Sequence, residues 1–164
     1  MSRENILVGA AEVFVDGVNV GWTEGGVEVE KSFDVYEKEV DQKHDAVDLV
    51  ATKTTLTVKT QLAEATLENL KRAWNEMSTI TDDPTKRTLG IGIQETFPEH
   101  TLEFRGKAPT GNQRVYKVWR AFQVGASAHG LRKADKVVFP VEFRCLPDLD
   151  KPETEQYGQV IDYK

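Results

Sequence analysis

At 164 residues and 39% hydrophobic, the chain is long enough for one domain that buries roughly 70% of its unfolded surface without covalent staples. Twenty-seven acidic against twenty-one basic residues leave a formal charge of −6, which argues against a surface built to grip phosphates. The lone Cys145 excludes an internal disulfide, and no apolar run approaches the roughly 20 residues that span a bilayer.

The first structured stretch is punctuated by glycine. Asp16-Gly17 lies between short apolar runs, and both central residues of a type I′ turn need positive φ, which Asp tolerates and Gly adopts freely, so a tight hairpin is predicted. Gly25-Gly26 then relaxes the backbone before a longer strand. In that strand Val27, Val29, Phe33 and Val35 alternate with Glu28, Glu30, Ser32 and Asp34, which predicts an apolar face on the core, with Lys31 its one charge, and an acidic face turned away. Residues 37–48 are highly charged, and residues 49–60 are rich in β-branched side chains that suit a second strand. The two strands are expected to form a long hairpin. Centring it in the charged stretch sets Glu28 and Glu30 near Thr57 and Thr55, and Ser32 and Asp34 near Lys53 and Ala51.

One helix, over about residues 62–77, is predicted from Ala63, Leu67, Leu70, Trp74 and Met77, whose four- and three-residue spacing draws an apolar stripe opposite Glu64, Glu68, Lys71, Arg72 and Glu76. Trp74 is read as a core residue. Asp82-Asp83-Pro84 turns the chain, and strands are expected over residues 88–94, 101–105, 114–124 and 136–146. In the last, Val137, Phe139, Val141, Phe143 and Cys145 share a face, so Cys145 reads as a buried, inert thiol, while Pro140 marks an edge or a bulge. Residues 147–164 read as a C-terminal extension, polar and loop-like from Pro147 through Glu155, before Val160-Ile161-Asp162-Tyr163. No linker or repeat divides the chain, so residues 1–164 read as one mainly β domain, an antiparallel sandwich or barrel of two sheets.

No catalytic constellation emerges. His44, His100 and His129 fall in separate predicted loops without ligand spacing and read as solvated. Gly90-Ile91-Gly92 lacks the third glycine of a dinucleotide fingerprint, and Lys107-Ala108-Pro109-Thr110-Gly111-Asn112 lacks the order of a P-loop. The charged run beginning at Glu37 has interleaved lysines rather than EF-hand spacing. The expectation is a protein that is not an enzyme and holds no metal or cofactor.

Four segments, in order along the chain, carry a resemblance. They are Gly17-Val18-Asn19-Val20-Gly21-Trp22-Thr23-Glu24-Gly25-Gly26-Val27, then Val40-Asp41-Gln42, Leu62-Ala63-Glu64-Ala65-Thr66-Leu67-Glu68-Asn69-Leu70, and Phe139-Pro140-Val141-Glu142-Phe143-Arg144-Cys145-Leu146-Pro147-Asp148. As an ordered set they resemble the major tail tube proteins of long-tailed phages. The resemblance implies a two-sheet tail tube fold with a flanking helix, and homo-hexameric rings stacked into a hollow tube, lined by an inner hairpin, through which DNA passes. It further implies a tape measure protein, a tail terminator and baseplate or tail-tip proteins as partners. The location it implies is the virion tail, after synthesis in the bacterial cytoplasm; the amino terminus has no apolar signal segment.

By the same resemblance, residues 37–48 match the mobile loop that orders on assembly and contacts the next ring; its candidate stacking residues are Glu37, Lys38, Glu39, Val40, Asp41, Gln42, Lys43, His44, Asp45 and Asp48. Glu28, Glu30, Asp34 and Lys53 are the candidates for the lumen, where acidic belts would let DNA slide rather than stick. A tube subunit of a type VI secretion or phage-tail-like bacteriocin particle, a tail terminator, and a small β-sandwich binding module are the alternatives.

Overall fold

The computed structural model describes residues 3–164. Its first strand, β1 (Glu12–Val15), turns back into β2 (Val18–Asn19) through Asp16 and Gly17 at φ 53° and 78°. Both central residues therefore have the positive φ expected of the tight turn. Asp16 is also clamped from outside: its amide donates to the Thr101 carbonyl, and its carboxylate accepts the Thr101 amide at 2.9 Å.

Two long strands follow, β3 (Thr23–Lys38) and β4 (Asp48–Leu62), paired antiparallel as predicted. The register differs from the expected one by two residues: Glu28 faces Lys59, Glu30 faces Thr57, Ser32 faces Thr55 and Asp34 faces Lys53. Two irregularities cause this. One lies between Glu24 and Glu28, where Gly25 and Gly26 take φ of 74° and 77°, and the other follows Asp34, opposite an extra residue, Thr52. A shift of two keeps the side-chain parity, so the division of β3 into an apolar and a charged face survives.

The helix α1 (Leu67–Trp74) is shorter than the predicted span. Thr66 caps its start, its hydroxyl accepting the Asn69 amide, and Asn75 ends it in the left-handed region at φ 56°. The packed face is rotated from the predicted stripe. Asn69 and Ala73 are buried, Leu70 and Trp74 pack at the margin of the core, and Met77 is exposed. Asn69 causes the rotation, because its amide donates to the carbonyls of Val20 and Glu64, as a buried polar group must find partners. With Ala63 donating to the Trp22 carbonyl, these bonds tie the segment leaving β2 to the end of β4.

Beyond the helix, β5 (Thr81–Asp83) and β6 (Lys86–Thr88) make a separate two-stranded ribbon around the Asp-Pro turn. The strand expected over residues 88–94 is absent after Thr88. Local tethers replace ladder bonds there: Ser78 donates to the Gly90 carbonyl, and buried Glu76 accepts the Gly92 amide. Then come β7 (His100–Lys107), β8 (Gln113–Gln123) and β9 (Phe139–Leu146). The inward face of β9 is as read from the sequence, with Phe139, Val141, Phe143 and Cys145 all buried.

β9 is interior to the sheet, between β4 and β8, which corrects the edge reading of Pro140. Pro140 is tolerated because β8 pairs only with the part of β9 from Phe143 onward. The C-terminal extension is irregular over residues 147–152, as read from the sequence. After a 3-10 turn (Glu153–Glu155) it forms β10 (Gly158–Asp162), paired with β8.

The eight-stranded sheet runs β2-β1-β7-β8-β9-β4-β3, with β10 joining β8, and every pairing is antiparallel. In place of two separate sheets, one sheet forks. Residues 114–118 of β8 pair with β10, and residues 120–123 of the same strand pair with β9. A single apolar cluster from β1, β4, β7, β8, β9 and α1 forms the core.

Candidate assembly surface

Alternation along β3 and β4 gives the hairpin two faces, but the core reaches only its base. Val58 and Leu62 are buried, Val27 and Leu56 are partly so, and the rest of the predicted core face is bare. Val29 is 43% exposed, Phe33 55%, Val35 54% and, on the partner strand, Leu49 63%. The expectation that Val29, Phe33 and Val35 pack into the subunit core is thus corrected. They form a solvated apolar strip that continues the core outward, because among the described residues no element covers it. Lys31, on the same face, holds its ammonium 5.5 Å from the centre of the Phe33 ring.

The other face gathers the four lumen candidates. Glu28, Glu30 and Asp34 line up along β3, and Lys53 stands directly opposite Asp34. The sequence reading missed Lys59, which stands opposite Glu28 and also pairs with Glu142 of β9 at 3.9 Å. Asp48 and Lys38 complete the row with a 3.0 Å ion pair. Glu28, Glu30, Asp34 and Asp48 thus meet Lys38, Lys53 and Lys59, so the face is nearly balanced within one subunit. The acidic belts expected from β3 alone are diluted by β4, since cross-strand partners share a face.

Of the stacking-loop candidates, Glu37, Lys38 and Asp48 belong to strands rather than to a loop, paired Glu37 to Leu49 and Lys38 to Asp48. Glu39, Val40, Asp41, Gln42, Lys43, His44 and Asp45 make the actual tip. It closes with Val47 donating to the Lys38 carbonyl at 2.8 Å and Lys43 donating to the Val40 carbonyl at 3.1 Å. Neither bond reaches beyond the hairpin.

Elsewhere, two histidines depart from the solvated reading. His100 Nδ1 lies 2.7 Å from the Asp16 carboxylate with its ring edge-on to Phe143, and His129 is stacked on Trp74 and edge-on to Phe139. Each lies next to an aromatic that the sequence puts far away. Cys145 is fully buried, and burial pushes its thiol up to about 12, so it stays a protonated packing group. The clearest charge clamp is on β10, where Arg114 grips Asp162 through two bonds of 2.6 and 2.7 Å. That hydrogen bonding holds the Asp162 carboxyl below its ordinary value and the guanidinium above its own. Among the described residues, no three His, Cys, Asp or Glu side chains are grouped to hold a metal ion.

No protein-family model matches this chain, and no curated protein is significantly similar to it.

Proposed function

We propose that this chain is a structural subunit that associates through its long hairpin into hexameric rings, which stack as the hollow tail tube of a long-tailed phage virion. The observation that carries the reading is the apolar strip of Val29, Phe33, Val35 and Leu49, left in water on a 16-residue strand paired on one side only. An exposed apolar face and a long open strand edge are liabilities in an isolated subunit, and a neighbouring copy removes both. The charged face then turns to the lumen, where interleaved lysines and carboxylates offer DNA no cationic groove to bind. The tip at residues 39–47 contacts the next ring. Tape measure, terminator and baseplate or tail-tip proteins follow as partners in such a particle.

The test is negative-stain microscopy and sedimentation of purified protein across a concentration series. Subunits should be monomeric or weakly associated when dilute and form rings or tubes when concentrated. Deleting residues 39–47 should leave a folded monomer that makes no tubes. A compact monomer at every concentration would overturn the reading.

A further inference from the structure

Where β9 ends at Leu146, the sheet opens. β4 pairs with β9 only from Leu56 onward, so residues 48–55 have β3 on one side and, among the described residues, no strand on the other. Facing them is β10, which pairs with β8 on one edge and leaves the other free. The two edges do not meet. They are bridged by a side chain, the Tyr157 hydroxyl donating to the Thr54 carbonyl at 2.9 Å. Between them runs a groove walled by Val29 and Leu56 of the hairpin and by Val160, with Phe104, Tyr116 and Val118 at its floor. Glu153 and Glu155 also line it.

The chain also carries an apolar segment with no ladder partner among the described residues. Ile6, Leu7 and Val8 precede β1, with Ile6 73% and Val8 91% exposed. The other irregular apolar stretch, around Ile91, is anchored through Glu76 and Ser78. The five residues 6–10 match the five of β10 in length. Laid parallel to β10 with Ile6 at Gly158, they bring the 3-10 turn of Arg3–Asn5 toward the 3-10 turn of Glu153–Glu155, so the Arg3 cation meets an acidic end and charge favours this direction. Strand addition of this kind satisfies open backbone groups while side chains fill apolar pockets.

We propose that the groove between β4 and β10 accepts residues 6–10 of a second copy of this chain. The inference rests on the self-assembly reading and adds the segment and slot that join the copies. Arm and slot are different surfaces, so the contact is heterologous and repeats from copy to copy.

The test is the double variant Val8→Cys with Val160→Cys, which stand side by side in this register, oxidised before and after assembly; native Cys145 is buried and does not compete. A ladder of disulfide-linked multimers from assembled material, absent from dilute subunits, is the expected result. Arg3→Glu should raise the concentration needed for assembly at least tenfold, and Arg3→Glu with Glu153→Lys and Glu155→Lys should restore it. Tubes without a ladder, with Arg3→Glu assembling like the parent, would overturn this contact while leaving the tube reading intact. A cross-link confined to single chains would overturn it as well, since the arm would then fill its own slot. If the parent makes no tubes and the double cysteine variant no linked multimers at any concentration, both readings fail.

Discussion

Replacing Phe33, Val35 and Leu49 together by threonine separates the subunit core from the assembly face. Threonine keeps the strand preference while removing apolar surface. The three side chains are 54–63% exposed in the subunit, so the folded monomer should lose no more than about 1 kcal/mol in total. For a chain of this length that is a fall in Tm of about 2–4 °C. The cost to assembly is larger. Fully burying such a side chain is worth about 1.5–3 kcal/mol. Covering the half still exposed therefore supplies about 1 kcal/mol per residue, or about 3 kcal/mol per subunit for the three. At about 1.4 kcal/mol per factor of ten, the critical concentration should rise about a hundredfold. Sedimentation of a dilution series gives that concentration, and thermal unfolding of the dilute subunit gives Tm. Phe143→Ala, at a residue only 2% exposed, is the control and should cost about 3–5 kcal/mol. A Tm loss in the triple variant as large as that of Phe143→Ala would mean that the strip is core after all. An unchanged critical concentration would mean that it takes no part in assembly.

Changing Glu28, Glu30 and Asp34 to lysine sets like charges against Lys59 and Lys53, which should cost about 0.2–1 kcal/mol at each of those two pairs while the subunit still folds. Tubes of this variant should co-sediment with DNA at low salt and release it as salt rises; parent-like absence of DNA binding would put this face outside the lumen. Asp162 titrates below its ordinary 3.8 because Arg114 holds its charged form. Its stabilisation is therefore fully present above about pH 4 and is lost as pH falls through the lowered value. Hydrogen exchange in β10, compared with the rest of the sheet, should accelerate across that acid window in the parent. In Asp162→Asn it should be fast at neutral pH already and nearly independent of this titration; matching pH profiles would refute the clamp.

Much of the architecture is written in local chemistry. Asp16-Gly17 dictates its turn because few residue pairs accept two positive φ values in succession. The alternation in β3 and β9 dictates which side chains share a face, since the strand period is two. Even an incorrect hairpin register kept that parity, because the error was two residues. What covers a face is a different kind of information. Val141 and Phe143 are buried and Phe33 and Val35 are not, although both pairs alternate with polar residues in the same way. Only the tertiary arrangement decides it, because β8 and α1 lie against β9 while, among the described residues, no strand pairs the outer edge of the hairpin.

The same limit hid the charge balance. Glu28 and Asp34 read as an acidic row until β4 brought Lys59 and Lys53 opposite them, across 31 and 19 positions of sequence respectively. The place of β10 was hidden for a similar reason. At Gly158 a Cβ would lie 1.8 Å from the Lys117 carbonyl, a requirement set entirely by a distant strand. The sequence by itself determined which residues turn, alternate and form a helix, because those preferences act between near neighbours. The burial of Asn69, the fork at β8 and the bare apolar strip were decided by tertiary structure, because each depends on which distant backbone comes to lie alongside.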